Sequence, residues 1–327
     1  MTSFFIGDVE VKGNLILAPM AGVTDLPFRE LCRINGANLV YSEMVSSRGI
    51  VHGSENTHLL TRTSDIERPV TLQIFGSDPK VMAEAAKQIE HLPFDILDIN
   101  MGCPAPKIVK NGDGSALMND PKKVGEMVKA VSTAISKPLS VKIRKGINDK
   151  LQYLEVAKYA EDNGAKAIAV HGRTREQYYE GVVDLEPVKA VKAALSIPVI
   201  SSGDVVDIDS FQRTLEYTGV DAIMIGRGVF GNPWLFKQIS HFQKTGERLP
   251  DPSFREKVET CLEHARKLIE IKGEVTAIRE MRKHTGWYIK GLHGATKMRG
   301  AINAINTYED LDKALADILA ITEAQTA

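Results

Sequence analysis

Phe94-Asp95-Ile96-Leu97-Asp98-Ile99-Asn100-Met101-Gly102-Cys103-Pro104 reads as an apolar strand that delivers a thiol onto a turn shaped by Gly and Pro. Three more polar side chains stand near the ends of comparable strands. Gln73 follows Val70-Thr71-Leu72, Lys142 follows Leu139-Ser140-Val141, and His171 follows Ala167-Ile168-Ala169-Val170. Buried strands that finish in amide, ammonium and imidazole groups need polar partners there. Their ends therefore converge on something polar.

Outward from this stretch, short apolar runs alternate with helix-like segments. The runs lie at 15–18, 39–41, 70–74, 96–99, 139–143, 167–170, 199–200 and 222–225. Amphipathic patterns at 78–89, 121–135, 151–163 and 185–194 separate them, several opened by Asp or Pro. Roughly eight βα units over about 240 residues fit an α/β fold of the (β/α)8 TIM-barrel type, with its reactive face at the strand C-terminal ends. An open doubly wound sheet is the alternative, because closure leaves no mark in sequence. After Trp234-Leu235-Phe236 the rhythm stops, and residues 244–252 carry the Gly, Pro and charge of a linker. From Ser253 onward Val258, Leu262, Ala265 and Ile269 repeat at helical spacing, with breaks near Gly273, Gly291 and Gly294. The expected organisation is a barrel over 1–243, a linker over 244–252 and a small all-helical domain over 253–327.

The chain of 327 residues is 43% hydrophobic and 25% charged, which fits a soluble globular protein and excludes disorder. No membrane helix or signal peptide is evident, so a cytoplasmic protein without membrane contact is expected. Cys32, Cys103 and Cys261 are widely spaced and odd in number, which supports neither a disulfide framework nor a zinc CxxC pair, so no metal is expected. A formal net charge of −1 gives no global signal for nucleic acid; such contact needs a local basic face.

Ser202-Gly203-Asp204 follows the seventh strand and Gly226-Arg227-Gly228 the eighth, where barrels hold phosphate. Glycines let backbone N–H groups approach an anion, and Arg227 adds a charged fork. Alternation in Ser140-Val141-Lys142-Ile143 points Lys142 into the barrel. A ring able to carry negative charge, such as a reduced flavin, would satisfy that ammonium, with Gln73 at the ring edge; an internal Lys–carboxylate pair is the plainer reading. Met20, in Ala18-Pro19-Met20-Ala21-Gly22, suits the face of a planar ring or serves as core filler. The Cys103 thiol, mostly protonated at neutral pH, is suited to protonate a carbanion. Cys32 and Cys261 lie on amphipathic helices and read as core.

These blocks carry a resemblance. Ala18-Pro19-Met20-Ala21-Gly22-Val23-Thr24-Asp25, Gln73-Ile74-Phe75-Gly76, Asn100-Met101-Gly102-Cys103-Pro104, Gly114-Ser115-Ala116-Leu117-Met118 and His171-Gly172-Arg173-Thr174-Arg175-Glu176-Gln177-Tyr178 occur in order, almost end to end. In them the chain resembles bacterial tRNA-dihydrouridine synthases, and its tail is most similar to their B-type branch. The resemblance implies a flavin mononucleotide (FMN) oxidoreductase that uses NADPH to reduce the C5–C6 bond of selected uridines in tRNA. It implies that Pro19, Met20, Ala21, Gln73, Lys142 and His171 surround the flavin ring, and that Ser202, Gly203, Asp204, Gly226 and Arg227 hold its phosphate. Cys103 becomes the proton donor to C5, with hydride passing from flavin N5 to C6, and Asn100 and Arg173 orient the base. Ser202 stands where that family more often has Asn, and Leu185 where it often has Trp.

A uridine in folded tRNA must be unstacked before it can meet a flavin, which demands a broad shape-reading surface. Arg279, Lys283, Trp287 and Lys290 fall on one helical stripe, with Arg282, His284, Tyr288, Lys297 and Arg299 nearby. This stripe is the expected tRNA-binding face, of a protein expected to work as a monomer. The competing functions are a flavin reductase of a free small molecule, such as a pyrimidine or enone, which needs no basic tail, and an RNA-binding protein without catalysis, which leaves the strand-end cluster unexplained.

Overall fold

The computed structural model describes residues 3–292, 294–295 and 300–326. β1 (Ser3–Ile6) and β2 (Val9–Lys12) form an antiparallel hairpin, turned at Gly7 with φ +62°. Eight strands follow: β3 (Leu15–Leu17), β4 (Leu39–Ser46), β5 (Val70–Phe75), β6 (Ile96–Met101), β7 (Leu139–Gly146), β8 (Ala167–Thr174), β9 (Val199–Ser202) and β10 (Ala222–Ile225). They close into a barrel in chain order, β10 pairing with β3, and every pair is parallel. Closure settles the choice against an open sheet.

Each expected strand is present, but β4, β7 and β8 run three to five residues past their apolar runs. The added stretches, such as Arg144 to Gly146 and His171 to Thr174, pair through the backbone while carrying polar side chains. Hydrophobic patterning marks only the part of a strand that faces apolar neighbours, so it ends where the site begins. The hairpin is an addition to the sequence reading. Ile6 and Val11, fully buried, join Ile16, Leu39, Ile96 and Ile200 inside the barrel and plug its lower end.

The outer ring contains α1 (Leu26–Ile34), α2 (Ser47–Val51), α3 (Glu55–Leu60), α4 (Pro79–Ile89), α5 (Pro106–Lys110), α6 (Pro121–Ser132), α7 (Tyr153–Asp162), α8 (Glu186–Ala194) and α9 (Ile208–Thr218). Asp78, Asp120 and Asp207 cap α4, α6 and α9 by accepting from backbone N–H groups of the first turn. Inner helix faces such as Met82, Ala85, Val124, Met127 and Val188 close over the strands. Each large apolar side chain sealed there contributes roughly 1.5–3 kcal/mol.

α10 (Leu235–Thr245) ends at Gly246, φ +74°. A Ser253–Glu256 capping box opens α11 (Phe254–Lys272), Gly273 breaks it from α12 (Glu274–Tyr288), and the last helix spans Tyr308–Thr326. Cys261, Leu268, Ile278, Met281 and Leu315 form a separate helical core. Lys267 on α11 reaches Glu30 on α1 at 3.3 Å, joining this region to the barrel. Among the described residues no helix is long and apolar enough to cross a membrane.

Candidate active site

A cavity of about 840 Å³ opens at the C-terminal ends of the strands. Pro19, Met20, Ala21, Gln73, Asn100, Cys103, Lys142, His171, Ser202, Gly203, Asp204, Gly226 and Arg227 all line it. Residues brought from strands far apart in the chain thus share one wall, as barrel closure requires.

Below the cavity a hydrogen-bond relay fixes the Cys103 turn. Ser140 Oγ donates to Asp98 Oδ1 at 2.6 Å, and Gln73 Nε2 donates to Asp98 Oδ2 at 2.8 Å. Asn100 Nδ2 donates to Gln73 Oε1 at 2.9 Å, while Asn100 Oδ1 accepts from Gly102 N at 3.2 Å and Cys103 N at 2.9 Å. Carboxylate, amide and amide can link in one direction only, so Asp98 sets the orientation of both amides. On the cavity side Gln73 keeps one N–H and one lone pair to offer. Burial pushes the Asp98 carboxyl up to about 6, against the pull of its bonds to Ser140 and Gln73 and the charge of Lys142.

Lys142 faces the cavity from β7. Burial, and then the charge of Arg144, lower its ammonium to about 8, opposed by Asp98 and Cys103. Among the described residues no carboxylate reaches ion-pair distance, so the internal Lys–carboxylate pair considered from sequence is not formed. Burial raises the Cys103 thiol above its usual value, outweighing the Ala105 N–H, Arg144 and Lys142, and keeps its proton on at neutral pH. His171 is pushed well below its ordinary value, by burial first and then by Lys142, Arg144, Arg173 and Arg227. Its Nε2, 3.4 Å from Arg173 Nη1, can only accept there, which leaves the ring proton on Nδ1.

At the opposite end Asp204 takes both nearby arginines. Arg173 bonds it twice, at 2.8 and 2.6 Å, and Arg227 Nη2 donates at 2.8 Å. These contacts hold the Asp204 carboxyl below the usual range despite its burial. Gly203, at φ +128°, leaves open a cradle that a Cβ would fill, 2.7 Å from Val183 Cγ2 and 3.1 Å from His171 Cδ2. Arg227 remains 45% exposed at the mouth of this cradle.

Arg173 stands elsewhere than the resemblance implies. It does not line the cavity; its five N–H groups go to Asp204, His171 and the carbonyls of Glu180 and Gly181, so none is free for a base. It is a buried brace for Asp204. Conversely, Arg144, Tyr178, Tyr179 and Phe230 line the cavity without having been singled out. Arg144 Nε donates to Gly102 O at 2.7 Å and steadies the Cys103 turn from outside, and its guanidinium lies 5.7 Å from the Tyr179 ring. The signal was available: Arg144 is two residues beyond Lys142 and shares its side of the strand.

Of the basic stripe, Arg279 and Lys283 are exposed on α12, and Lys290 is exposed just past its end. Lys283 Nζ sits over Gly22, at the cavity rim beside Met20 and Ala21. Trp287 stacks on Phe230, centroids 4.1 Å apart, so part of its ring is spent on the barrel. Arg282 is tied to Ile305 O and Asn306 Oδ1. His284 and Tyr288 are buried and belong to no exposed face. Lys297 and Arg299 lie outside the described residues.

Comparison with known proteins follows the same line. A model of the dihydrouridine synthase family matches residues 16–325. The chain is 43% identical over 314 residues to "tRNA-dihydrouridine synthase B" of Pseudomonas aeruginosa, covering 96% of this chain and 94% of that one. It is 42% identical over 303 residues to a "Probable tRNA-dihydrouridine synthase" of Rickettsia bellii, covering 92% and 93%. Among solved structures, histamine dehydrogenase from Rhizobium sp. 4-9 superposes with TM-score 0.57 at 15% identity over 73% of this chain and 47% of that one. A variant of NCR from Zymomonas mobilis gives TM-score 0.53 at 16% identity over 78% and 94%. At such identities the two structures speak for the barrel alone.

Proposed function

Because the chain belongs to the dihydrouridine synthase family, we propose that it binds flavin mononucleotide in the strand-end cavity and reduces the C5–C6 bond of selected tRNA uridines at the expense of NADPH. The reading is carried by one observation: Lys142, Gln73, Cys103 and Arg227 converge on a single cavity whose two ends differ in chemistry. At the Gly203 end, the open cradle and the exposed fork of Arg227 suit a phosphate. Elsewhere on the wall, Pro19, Met20 and Ala21 offer an apolar face, and the unpaired Lys142 offers a cation beside Gln73. That pairing of features fits a phosphorylated aromatic ring.

When bound and reduced, the flavin supplies the hydride for uracil C6. The chain's residues do the rest. Lys142, Gln73 and His171 orient the ring, and Ser202, Gly203, Asp204, Gly226 and Arg227 hold the phosphate, Arg173 acting through Asp204. Asn100 fixes the Cys103 turn through two backbone N–H groups, so the thiol stands at a set place in the wall. Its raised pKa keeps the proton available until charge develops at uracil C5, where the thiol acts as general acid. Residues 253–327 form the tRNA-binding domain, joined to the barrel domain of residues 1–243, with Arg279, Lys283 and Lys290 facing phosphate and Trp287 at the rim.

Replacing Cys103 by Ala tests the assignment. The variant is expected to purify yellow, with bound flavin mononucleotide, while uridine reduction in tRNA falls by about 10²–10⁴-fold. Full activity in that variant excludes the acid role. A colourless wild-type protein that cannot be reconstituted with flavin excludes the whole reading.

A further inference from the structure

Asp25, His264 and His284 meet where the barrel joins the C-terminal helices, and nothing proposed above uses them. Asp25 caps α1, accepting from Phe28 N at 3.0 Å. His264 comes from α11 and His284 from α12. Their side chains are 2%, 0% and 0% exposed. His264 Nε2 lies 3.0 Å from Asp25 Oδ1, and His284 Nε2 lies 3.6 Å from Asp25 Oδ2. One donor atom from each residue falls within 4.8 Å of the others.

Hydrogen bonding within the triad leaves it incomplete. His284 lies beside the Gly22 backbone, yet neither of its ring nitrogens reaches a partner at hydrogen-bond geometry, and His264 Nδ1 has none either. The walls are aromatic: Phe28 stacks on His264, and Trp287 and Tyr288 meet the two imidazoles edge-on. An imidazole lone pair sealed in such a place forfeits its hydration with no return. A cation between Asp25 and the two Nε2 atoms would satisfy the His284 Nε2 lone pair and balance the Asp25 charge.

We infer that Asp25, His264 and His284 bind one divalent transition-metal ion, Zn²⁺ by the nature of the donors. Two imidazole nitrogens and one carboxylate oxygen are a standard zinc set, with a fourth position for water. Tetrahedral bonds of about 2.0–2.2 Å place neighbouring donors about 3.3 Å apart, so donors that lie within 4.8 Å of one another reach the ion by small side-chain rotations. The ion is a staple, not a catalyst. It ties the loop carrying Met20 and Ala21 on the cavity wall to α12, which carries Lys283 and Trp287 at the rim. The expectation of no metal came from cysteine spacing; ligands at positions 25, 264 and 284 leave no local motif to read.

The test uses the intact protein, stripped with a chelator and titrated with Co²⁺ and Zn²⁺. The wild type is expected to take up one equivalent of Co²⁺ with ligand-field bands in the visible, and Zn²⁺ is expected to raise its melting temperature. His284→Gln, checked for folding by far-UV circular dichroism, is expected to bind at least about tenfold more weakly. His264→Cys keeps three ligands and is expected to add a thiolate-to-cobalt charge-transfer band. A wild type that binds no Co²⁺ and gains no stability from Zn²⁺ overturns the site whatever the variants do, and marks a buried water there instead. Binding as tight in His284→Gln as in the wild type, or no new band in cobalt-loaded His264→Cys, also overturns it.

Discussion

Asp98→Asn is expected to make the protein more stable at neutral pH, not less. Asp98 is fully buried, and its carboxyl is raised from 3.8 to about 6. Each pH unit of displacement corresponds to about 1.4 kcal/mol, so the ionised form costs the fold on the order of 3 kcal/mol. The folded state holds this proton more tightly than the unfolded chain. Its contribution is therefore complete below pH 4 and is lost as pH rises through about 6. The replacing amide preserves the relay: its oxygen accepts from Gln73, and its N–H donates to Ser140 Oγ, which can serve as acceptor. Urea unfolding of both proteins at pH 4 and pH 8 measures the effect, other carboxyls cancelling in the difference. The variant's advantage is expected to grow by about 3 kcal/mol from the lower to the higher pH. A difference that stays flat with pH, or a variant less stable at pH 8, refutes the charge assignment and with it the directional relay to Cys103. The charge that costs stability also keeps Lys142 protonated, so the same variant is expected to lose flavin affinity.

Gly203→Ala is expected to weaken flavin mononucleotide binding at least about tenfold, measured by fluorescence quenching, because its φ of +128° and the 2.7 Å approach to Val183 Cγ2 leave a Cβ no room. Unchanged affinity would put the phosphate elsewhere. Arg279→Glu with Lys283→Glu is expected to weaken tRNA binding and flatten its salt dependence, by about one logarithmic unit of slope per lost phosphate contact; unaltered affinity at low salt removes α12 from the interface. Flavin binding is expected to take up close to one proton at pH 9 and almost none at pH 7, since Lys142 begins at about 8 and an electron-rich partner raises it. Calorimetry in buffers of different ionisation enthalpy reads this uptake, and its persistence in Lys142→Met would assign the proton to another group.

The barrel was legible because eight apolar runs recur with helical segments between them, a rhythm that packing on both faces of a parallel sheet enforces. Gln73, Lys142 and His171 were legible as polar groups where apolar strands should end. Asp98 was not, because it lies inside such a run; only the pairing of β5, β6 and β7 shows that it meets Gln73 and Ser140. Arg173 was assigned to the base by resemblance, whereas its position two residues past His171 carries it to Asp204, contributed by the loop after β9. The basic stripe was read from spacing along α12, but spacing does not say which flank docks. His284 and Tyr288 turned inward, and Trp287 was partly taken up by Phe230.

The two ends of the cavity hold their charge in opposite ways, and this orders the ligand within it. At the corner proposed for the phosphate two permanent cations, Arg173 and Arg227, share one carboxylate, leaving a net positive charge that no modest pH change removes. At the ring end the groups are poised: Asp98 near 6 and Lys142 near 8 can each change protonation by small shifts in their surroundings. A fixed cation suits a phosphate, whose charge is the same before and after reaction. A group balanced between charged and neutral suits a ring whose charge changes during turnover, because its protonation follows the electrons. The relay from Asp98 through Gln73 and Asn100 then connects the poised end to the backbone of Cys103, so the thiol proposed as proton donor is anchored to the same frame as the groups proposed to face the ring.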